Sequence, residues 1–359
     1  MTTPLVSVLI DTYNHERFIE EAIQSVLSQD FPASEREILV VDDGSTDRTP
    51  EILAKFASQI RILRKSNGGQ ASAFNHGIPE CRGEIVAFLD GDDWWAPNKL
   101  TRVTSAFAAE PQLGFVGHGI IAVYPDGSRR TDILRDGFYF QANDLAGARL
   151  FRTRCSFMGT SRMTIRRTLA QTILPIPNEI RIQADEYIYT LASVLMPMRI
   201  LPEALTCYRV HADNGFYLLN LDPEKLRRMQ KSLAALADSL LKRLAQLGID
   251  PDVSRTLLEY TDATSEQLRL GLDGGWPWET VRTEWKVYRV THPDAPPAHR
   301  VFKSFALLGA LFVPPKKFYQ AQRALSQSGL YRRLRERWLP FPKMEHIESD
   351  RKPSQRSSR

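Results

Sequence analysis

Cysteine is scarce in this 359-residue chain: Cys81, Cys155 and Cys207 make an odd number with no close spacing. That excludes a disulfide framework and a thiolate metal site, and it suits a reducing compartment. Long hydrophobic runs are missing as well, since a spanning helix needs about 20 apolar residues. The opening MTTPLVSVLID carries neither a basic leader nor a run of that length, so the expected location is cytoplasmic, with no export signal. No G-x-G-x-x-G follows the first apolar run and no G-x-x-x-x-G-K-[ST] occurs, so neither a Rossmann dinucleotide site nor a P-loop is supported. Low complexity is confined to the last residues, RKPSQRSSR, where disorder is expected.

The remainder has ordinary globular composition, 43% hydrophobic and 25% charged. Its net charge of +5 is unevenly spread. From Arg300 onward 14 Lys and Arg face 4 Asp and Glu, which leaves 33 against 38 in residues 1–299. The basic character belongs to the tail and points to an anionic lipid surface rather than to nucleic acid.

The chain is organised around Glu84 to Trp95, EIVAFLDGDDWW. Five apolar residues, Ile85 to Leu89, stop abruptly at Asp90, Gly91, Asp92 and Asp93, which reads as a strand buried on both faces ending in acid. Carboxylates packed this closely raise one another's pKa unless a divalent cation keeps them ionised; the alternative is a solvated acidic turn.

The segments before it alternate. Val6 to Ile10 reads as a strand and Glu16 to Gln29 as a helix with Asn14 as its N-cap. Glu37 to Val41 is a second strand ending at Asp42, Asp43 and Gly44, followed by Thr49 as N-cap and Pro50 at the first helical position. A third strand at Arg61 to Leu63 and the Gly-rich helix entry NGGQASAFNHG lead to the acidic strand, and a helix spans about Pro97 to Ala109. This β-α repeat asks for a doubly wound, mostly parallel sheet with helices on both faces. Ligands of such sheets bind beyond the carboxyl ends of the strands, where all the polar signals fall.

VSVLIDTYNHERFIEEAIQSVLSQ, EILVVDDGSTDRT, NGGQASAFNHGI and FLDGDDWWAPNKL, in that order and spacing, resemble the nucleotide-binding half of the family 2 glycosyltransferases, which have the GT-A fold. The likeness covers about residues 4–215. It implies a base pocket lined by Thr12, Tyr13 and Asn14, a base hydrogen bond from Asp43, Asn67 on the donor nucleotide, and Asp92 near the ribose. Asp90 and Asp93 would belong to the metal-binding acids, for Mn²⁺ or Mg²⁺, with Asp93 a direct ligand. Asp11 stands where the family commonly has Pro. It is either a polar contact near the base or a buried capping carboxylate.

PIPNEIRIQADEYIYTLAS resembles the family segment that brings the catalytic carboxylate, which assigns Asp185 as base and leaves Glu186 as its rival; capping is the alternative role for Asp185. LPEALTCYRVH resembles the closing strand, with Arg209 on the phosphate or acceptor side and His211 as a metal or diphosphate contact or a structural histidine. Of Trp94 and Trp95, one stacks on a sugar and the other packs the sheet, in an order left open.

The implied activity is an inverting, metal-dependent transfer of one sugar per visit, from a UDP- or dTDP-sugar to a hydroxyl on a glycan or glycolipid. Processive synthesis is not expected, because Q-x-x-R-W and multiple spanning segments are missing. Two other classes compete. A sugar nucleotidyltransferase should carry a Gly-rich basic loop after its first strand, where DTYNHER stands; a non-catalytic binding protein would not keep the acids.

The expected organisation is a glycosyltransferase domain over 1–219, a helical extension over 220–299, and a basic amphipathic region over 300–359. In the extension Leu226, Met229, Leu233, Leu236, Leu240 and Leu244 form one helical face, explained equally by core packing or by oligomer formation. FALLGALFV, residues 305–313, with Lys303, Lys316, Lys317 and the basic run to Arg337 beside Tyr331, Trp338 and Phe341, fits an interfacial anchor at the inner face of the cytoplasmic membrane, or else a core-packed helix.

Overall fold

The computed structural model describes residues 4–132, 137–154, 158–211, 222–292 and 295–326. Cys155 and the tail from 327, with Tyr331, Arg337, Trp338, Phe341 and the RKPSQRSSR end, lie outside the described residues.

The first half alternates as its apolar runs dictate: β1 (Val6–Thr12), α1 (Ile19–Leu27), β2 (Arg36–Asp42), α2 (Thr49–Ala54), β3 (Arg61–Arg64), α3 (Gln70–Gly77) and β4 (Ile85–Asp90). These four strands pair in parallel in the order β3-β2-β1-β4. Successive side chains of a strand point to opposite faces, so its apolar residues feed two cores. Leu9, Val41, Val86 and Phe88 pack under α3, whereas Ile10, Val40, Ala87 and Leu89 pack with Ile19, Ile23 and Val26 of α1. Val86 to Leu89 are wholly buried, the environment read from their unbroken run.

The second half completes the sheet with mixed pairing. It contains β5 (Trp94–Trp95), α4 (Lys99–Ala109), β6 (Phe115–Val123), β7 (Arg129–Asp132), β8 (Phe138–Phe140), α5 (Leu145–Arg154), β9 (Thr164–Arg166), α6 (Arg167–Ile173), α7 (Ala184–Leu195) and β10 (Met198–Arg209). Strand β9 slots antiparallel between β4 and β6, β10 runs parallel to β6, and β5 pairs antiparallel with the end of β10. The architecture is a mostly parallel α/β sheet, as expected, and β10 returns the chain to the acids through β5.

Helix starts differ from the sequence reading. Asn14 does not cap α1; it adopts a left-handed backbone, φ 57°, and α1 begins at Ile19 after Phe18. Its side chain is used between loops, with Oδ1 accepting the Thr46 N–H at 2.8 Å. Thr49 is the first helical residue of α2 rather than its cap, because Asp47 Oδ1 takes the Thr49 N–H. Helix α4 starts at Lys99, two residues after Pro97.

Beyond Asp222 the chain is helical: α8 (Pro223–Gln246), α9 (Pro251–Asp273), α10 (Pro277–Thr291), α11 (Pro297–Leu308), a 3-10 turn (Gly309–Phe312) and α12 (Pro315–Ser326). The apolar row of α8, Leu226 to Leu244, is buried within this chain against α7 and α9, so core packing accounts for it. Among the described residues no helix is long and apolar enough to cross a membrane.

Candidate active site

Parallel register brings the polar strand ends together: Thr12 stands beside Asp42, and Asp11 beside Asp90. Ligand atoms of Asp90, Asp92 and Asp93 all lie within 4.8 Å of one another. Each acid is held differently. Asp93 is buried, its Oδ2 accepting from the Ser161 hydroxyl at 2.7 Å and its Oδ1 from the Arg209 N–H at 2.9 Å. Asp92 Oδ2 lies 3.0 Å from His211 Nε2 and 3.9 Å from His15 Nε2. Asp90 accepts from Gln70 Nε2 at 3.3 Å, and its own N–H donates to Ser161 Oγ.

The electrostatics follow this seating. Burial, joined by the charges of Asp11 and Asp92, pushes the Asp90 carboxyl well above the usual range, and burial beside Asp92 does the same for Asp93. Asp11, beside Asp90 in the strand register, is pushed up to about 7 by burial. Asp92 is the exception to mutual elevation: burial would raise it, but the bond from His211 and the charges of His15 and His211 bring it down.

A crowded, half-desolvated set of oxygen donors with raised proton affinity is what a hard divalent cation relieves. Asp11 Oδ1, buried without a hydrogen-bond partner beside this set, adds an acceptor still to be satisfied. The donors therefore fit Mg²⁺ or Mn²⁺. His211 is engaged with Asp92 and lies outside the three-carboxylate group.

Across the crevice Asp185 sits in the first turn of α7, after Gln183 in the left-handed N-cap position, so it is not the cap itself. Its Oδ2 accepts from the Thr160 hydroxyl at 3.2 Å and its Oδ1 from the Glu186 N–H at 2.8 Å. Burial lifts its pKa to about 6. Glu186 turns away, buried, and accepts from the Thr261 hydroxyl of α9, which removes it from the crevice and places it in the seam with the helical extension.

The residues expected on the donor side lie on the other flank. Tyr13 is exposed, whereas Thr12 is buried, 3.2 Å from His15 Nδ1. Asp43 spends both carboxylate oxygens on the neighbouring β3–α3 loop: Lys65 Nζ donates to Oδ1 at 2.5 Å, and the Gly68 and Gly69 N–H groups donate at 2.7 to 3.1 Å. Asn67 Oδ1 accepts from Arg181 Nη2 at 2.7 Å. Gly69 has φ 84°, and a Cβ there would come within 2.7 Å of the Arg181 carbonyl oxygen, so the closeness of these two loops depends on glycine.

Arg209 threads the rim between two rings, 4.5 Å from the Trp94 centroid and 4.8 Å from that of Phe18, with Glu21 at its tip. The two tryptophans separate: Trp94 is half-buried at this rim, and Trp95 is buried with Lys99 Nζ 3.5 Å from its ring centroid.

Sequence reasoning gave no role to Gln70, Thr160, Ser161, Lys99 or His15. Gln70, His15 and Lys99 each stood inside a quoted motif and were passed over; Thr160 and Ser161 act through contacts 62 to 90 positions away in the chain, for which one sequence carries no signal.

Comparison with known proteins bears on this arrangement. The sequence pattern described as glycosyl transferase family 2 matches residues 7–173. An uncharacterized glycosyltransferase, alr2836 of Nostoc sp. strain PCC 7120, is 33% identical over 293 residues, covering 79% of this chain and 89% of that protein. Among solved structures, S. aureus TarS (residues 1–349) matches with a TM-score of 0.53 at 17% identity over 90% of this chain and 92% of that one, and has also been solved with UDP-GlcNAc. A mannosyltransferase from Pyrobaculum calidifontis, solved with GDP-Man and Mn²⁺, matches with a TM-score of 0.50 at 18% identity over 94% and 88%. At these identities the two structures speak for the fold alone, which is that of GT-A enzymes.

Proposed function

The chain belongs to glycosyl transferase family 2, and we propose that this glycosyltransferase moves one sugar per visit from a nucleoside diphosphate to an acceptor hydroxyl, inverting the anomeric centre. The observation that carries the reading is the facing pair: three clustered acids at the end of β4 and Asp185 across from them, joined through Gln70 and Thr160.

Asp93 and Asp90, with Asp92 beside them, would hold Mn²⁺ or Mg²⁺. Bound there, the cation supplies Lewis-acid stabilisation of the charge that develops on the departing diphosphate. The chain does the rest. Asp185, ionised and on the acceptor side, takes the proton of the attacking hydroxyl, so the nucleophile enters opposite the leaving group and the configuration inverts. Thr160 and the first turn of α7 aim and stabilise that carboxylate. Arg209 is a cation at the crevice rim suited to the diphosphate, and the half-buried ring of Trp94 offers a stacking face for a sugar.

Thr12, Tyr13, Asn14 and Asn67 are proposed on the nucleotide side. Asp43 is proposed to serve the base through the loop it closes, since its carboxylate already holds Lys65, Gly68 and Gly69. UDP- or dTDP-sugars are the proposed donors and a glycan or glycolipid the acceptor. Proteins of this fold hold nucleotide sugars of different bases, UDP-GlcNAc in TarS and GDP-Man in the mannosyltransferase, so the base is left to experiment.

A thermal-shift screen of nucleoside diphosphates with and without Mn²⁺ separates these, because a ligand of the native state raises its melting temperature. Donor turnover with a hydroxyl acceptor, read by the anomeric configuration of the product, then tests the reaction. A retained configuration, or nucleotide binding without any transfer, would overturn it.

A further inference from the structure

Helix α11 and the Gly309–Phe312 turn after it carry two apolar stripes where packing needs one. Leu307 and Ala310 are buried against the neighbouring helices. Val301, Phe305, Leu308 and Phe312, spaced four, three and four residues apart, form a second stripe that is 49 to 88% exposed, with Leu311 beside it. The inner anchoring is firm. Lys303 reaches Glu284, and Tyr288 bonds His299 at 2.6 Å, so α11 runs antiparallel to α10 and carries the Gly309–Phe312 turn back onto it. The start of α10 at that end exposes two more amphipathic rings, Trp276 and Trp278. A monomer gains nothing by holding such side chains in water, and an exposed apolar stripe of this kind marks an interaction surface.

We infer that the α11 stripe and the following turn form a docking surface for an anionic lipid bilayer, in which Phe305, Leu308 and Phe312 enter the headgroup and acyl boundary. Charge decides between a bilayer and a protein face. Residues 300–326 contain five basic side chains, Arg300, Lys303, Lys316, Lys317 and Arg323, and no acidic one. Lys316 and Lys317 are exposed at the start of α12, one turn beyond Phe312, where they would meet lipid phosphates while the rings insert. A second copy of the chain seated on this stripe would set the exposed Lys316 and Lys317 of the two protomers against one another. The surface lies in the helical extension, apart from the acidic crevice, so the inference stands independently of the transfer reaction.

Vesicle co-sedimentation of the full chain tests it. Wild type should bind phosphatidylcholine vesicles containing roughly 30% phosphatidylglycerol at low salt, and lose binding as salt screens the lysines or when the anionic lipid is omitted. Phe305→Ser with Phe312→Ser should weaken binding about tenfold or more, since each ring contributes a large apolar transfer term. Both positions are exposed, so the melting temperature should stay at the wild-type value and confirm an intact fold. Lys316→Glu with Lys317→Glu should abolish the preference for anionic vesicles. Equal binding by the phenylalanine variant and wild type, or failure of wild type to bind at low salt, overturns the assignment. So does a wild-type dimer in gel filtration that the phenylalanine variant converts to monomer, which would give the stripe to a second copy.

Discussion

Gln70 Nε2 sits 3.3 Å from Asp90 Oδ1 while the Oε1 of the same amide accepts the Ala184 N–H at 2.9 Å. One side chain thus spans from the acids proposed to hold the cation to the helix that carries Asp185. Its Nε2 also donates to Thr160 Oγ1, whose hydroxyl turns to Asp185. Gln70→Ala should lower kcat by about 10- to 100-fold through misplacement of the two halves, with little change in donor KM. Steady-state kinetics check it, and a pure KM effect would count against a positioning role.

Removal of a proposed cation ligand should be more severe. Asp93→Ala leaves Ser161 and the Arg209 N–H without their acceptor and removes one proposed ligand. Transfer should fall to background, and the Mn²⁺-dependent part of nucleotide binding should disappear in calorimetry. Wild-type turnover in excess chelator would sink the proposal.

Asp185 gives a pH test. Its folded pKa is raised to about 6, and the ionised form is the one that accepts a proton. The rate should therefore be maintained above that value and fall as pH drops through about 6, with kcat/KM losing one decade per unit on the acid side. Asp185→Asn keeps an oxygen for Thr160 but cannot take a proton, so transfer should fall by about 10² or more with donor binding preserved. Loss in Glu186→Gln, with Asp185→Asn active, would move the base by one residue.

The first four strands, the parallel half of the sheet and the acidic strand end were legible because each rests on local pattern: Ile85 to Leu89 reads as a buried strand and Asp90 to Asp93 follow it, whereas β6 to β9 carry no such local signal and were not read. Glu186 was not legible. It stands next to Asp185, in the same kind of sequence, yet one helical step of about 100° sends it to Thr261 instead of the crevice. Asn14 had the composition of a cap, but a left-handed backbone and the neighbouring β2–α2 loop claimed its side chain. Asp92 escaped mutual elevation because His211 arrives from the far end of β10, 119 positions away.

Glu186 yields a stability prediction. Burial lifts its carboxyl to about 7 from 4.5, so the native state holds a proton that the unfolded chain has released between these values. Its contribution is intact below about 4.5 and is lost as pH rises through about 7, a change on the order of 3 kcal/mol. Glu186→Gln still accepts from Thr261 and does not titrate. Denaturant melts at pH 5 and pH 8 should show the variant gaining on wild type at the higher pH; parallel behaviour at both would reject the buried-acid account.

The seam that holds Glu186 is stitched again where Glu259 of α9 receives Arg152 of α5 and Arg289 of α10. Recombination between family members cannot treat the C-terminal helices as an exchangeable cassette. A graft that keeps the sheet of this chain must bring a hydroxyl to position 261 and a carboxylate to position 259, or else remove the Thr261 bond from Glu186 and the ion pair from Arg152. Inheritance of the two parts is thereby linked, and drift at the seam should be correlated even where neither side meets a substrate.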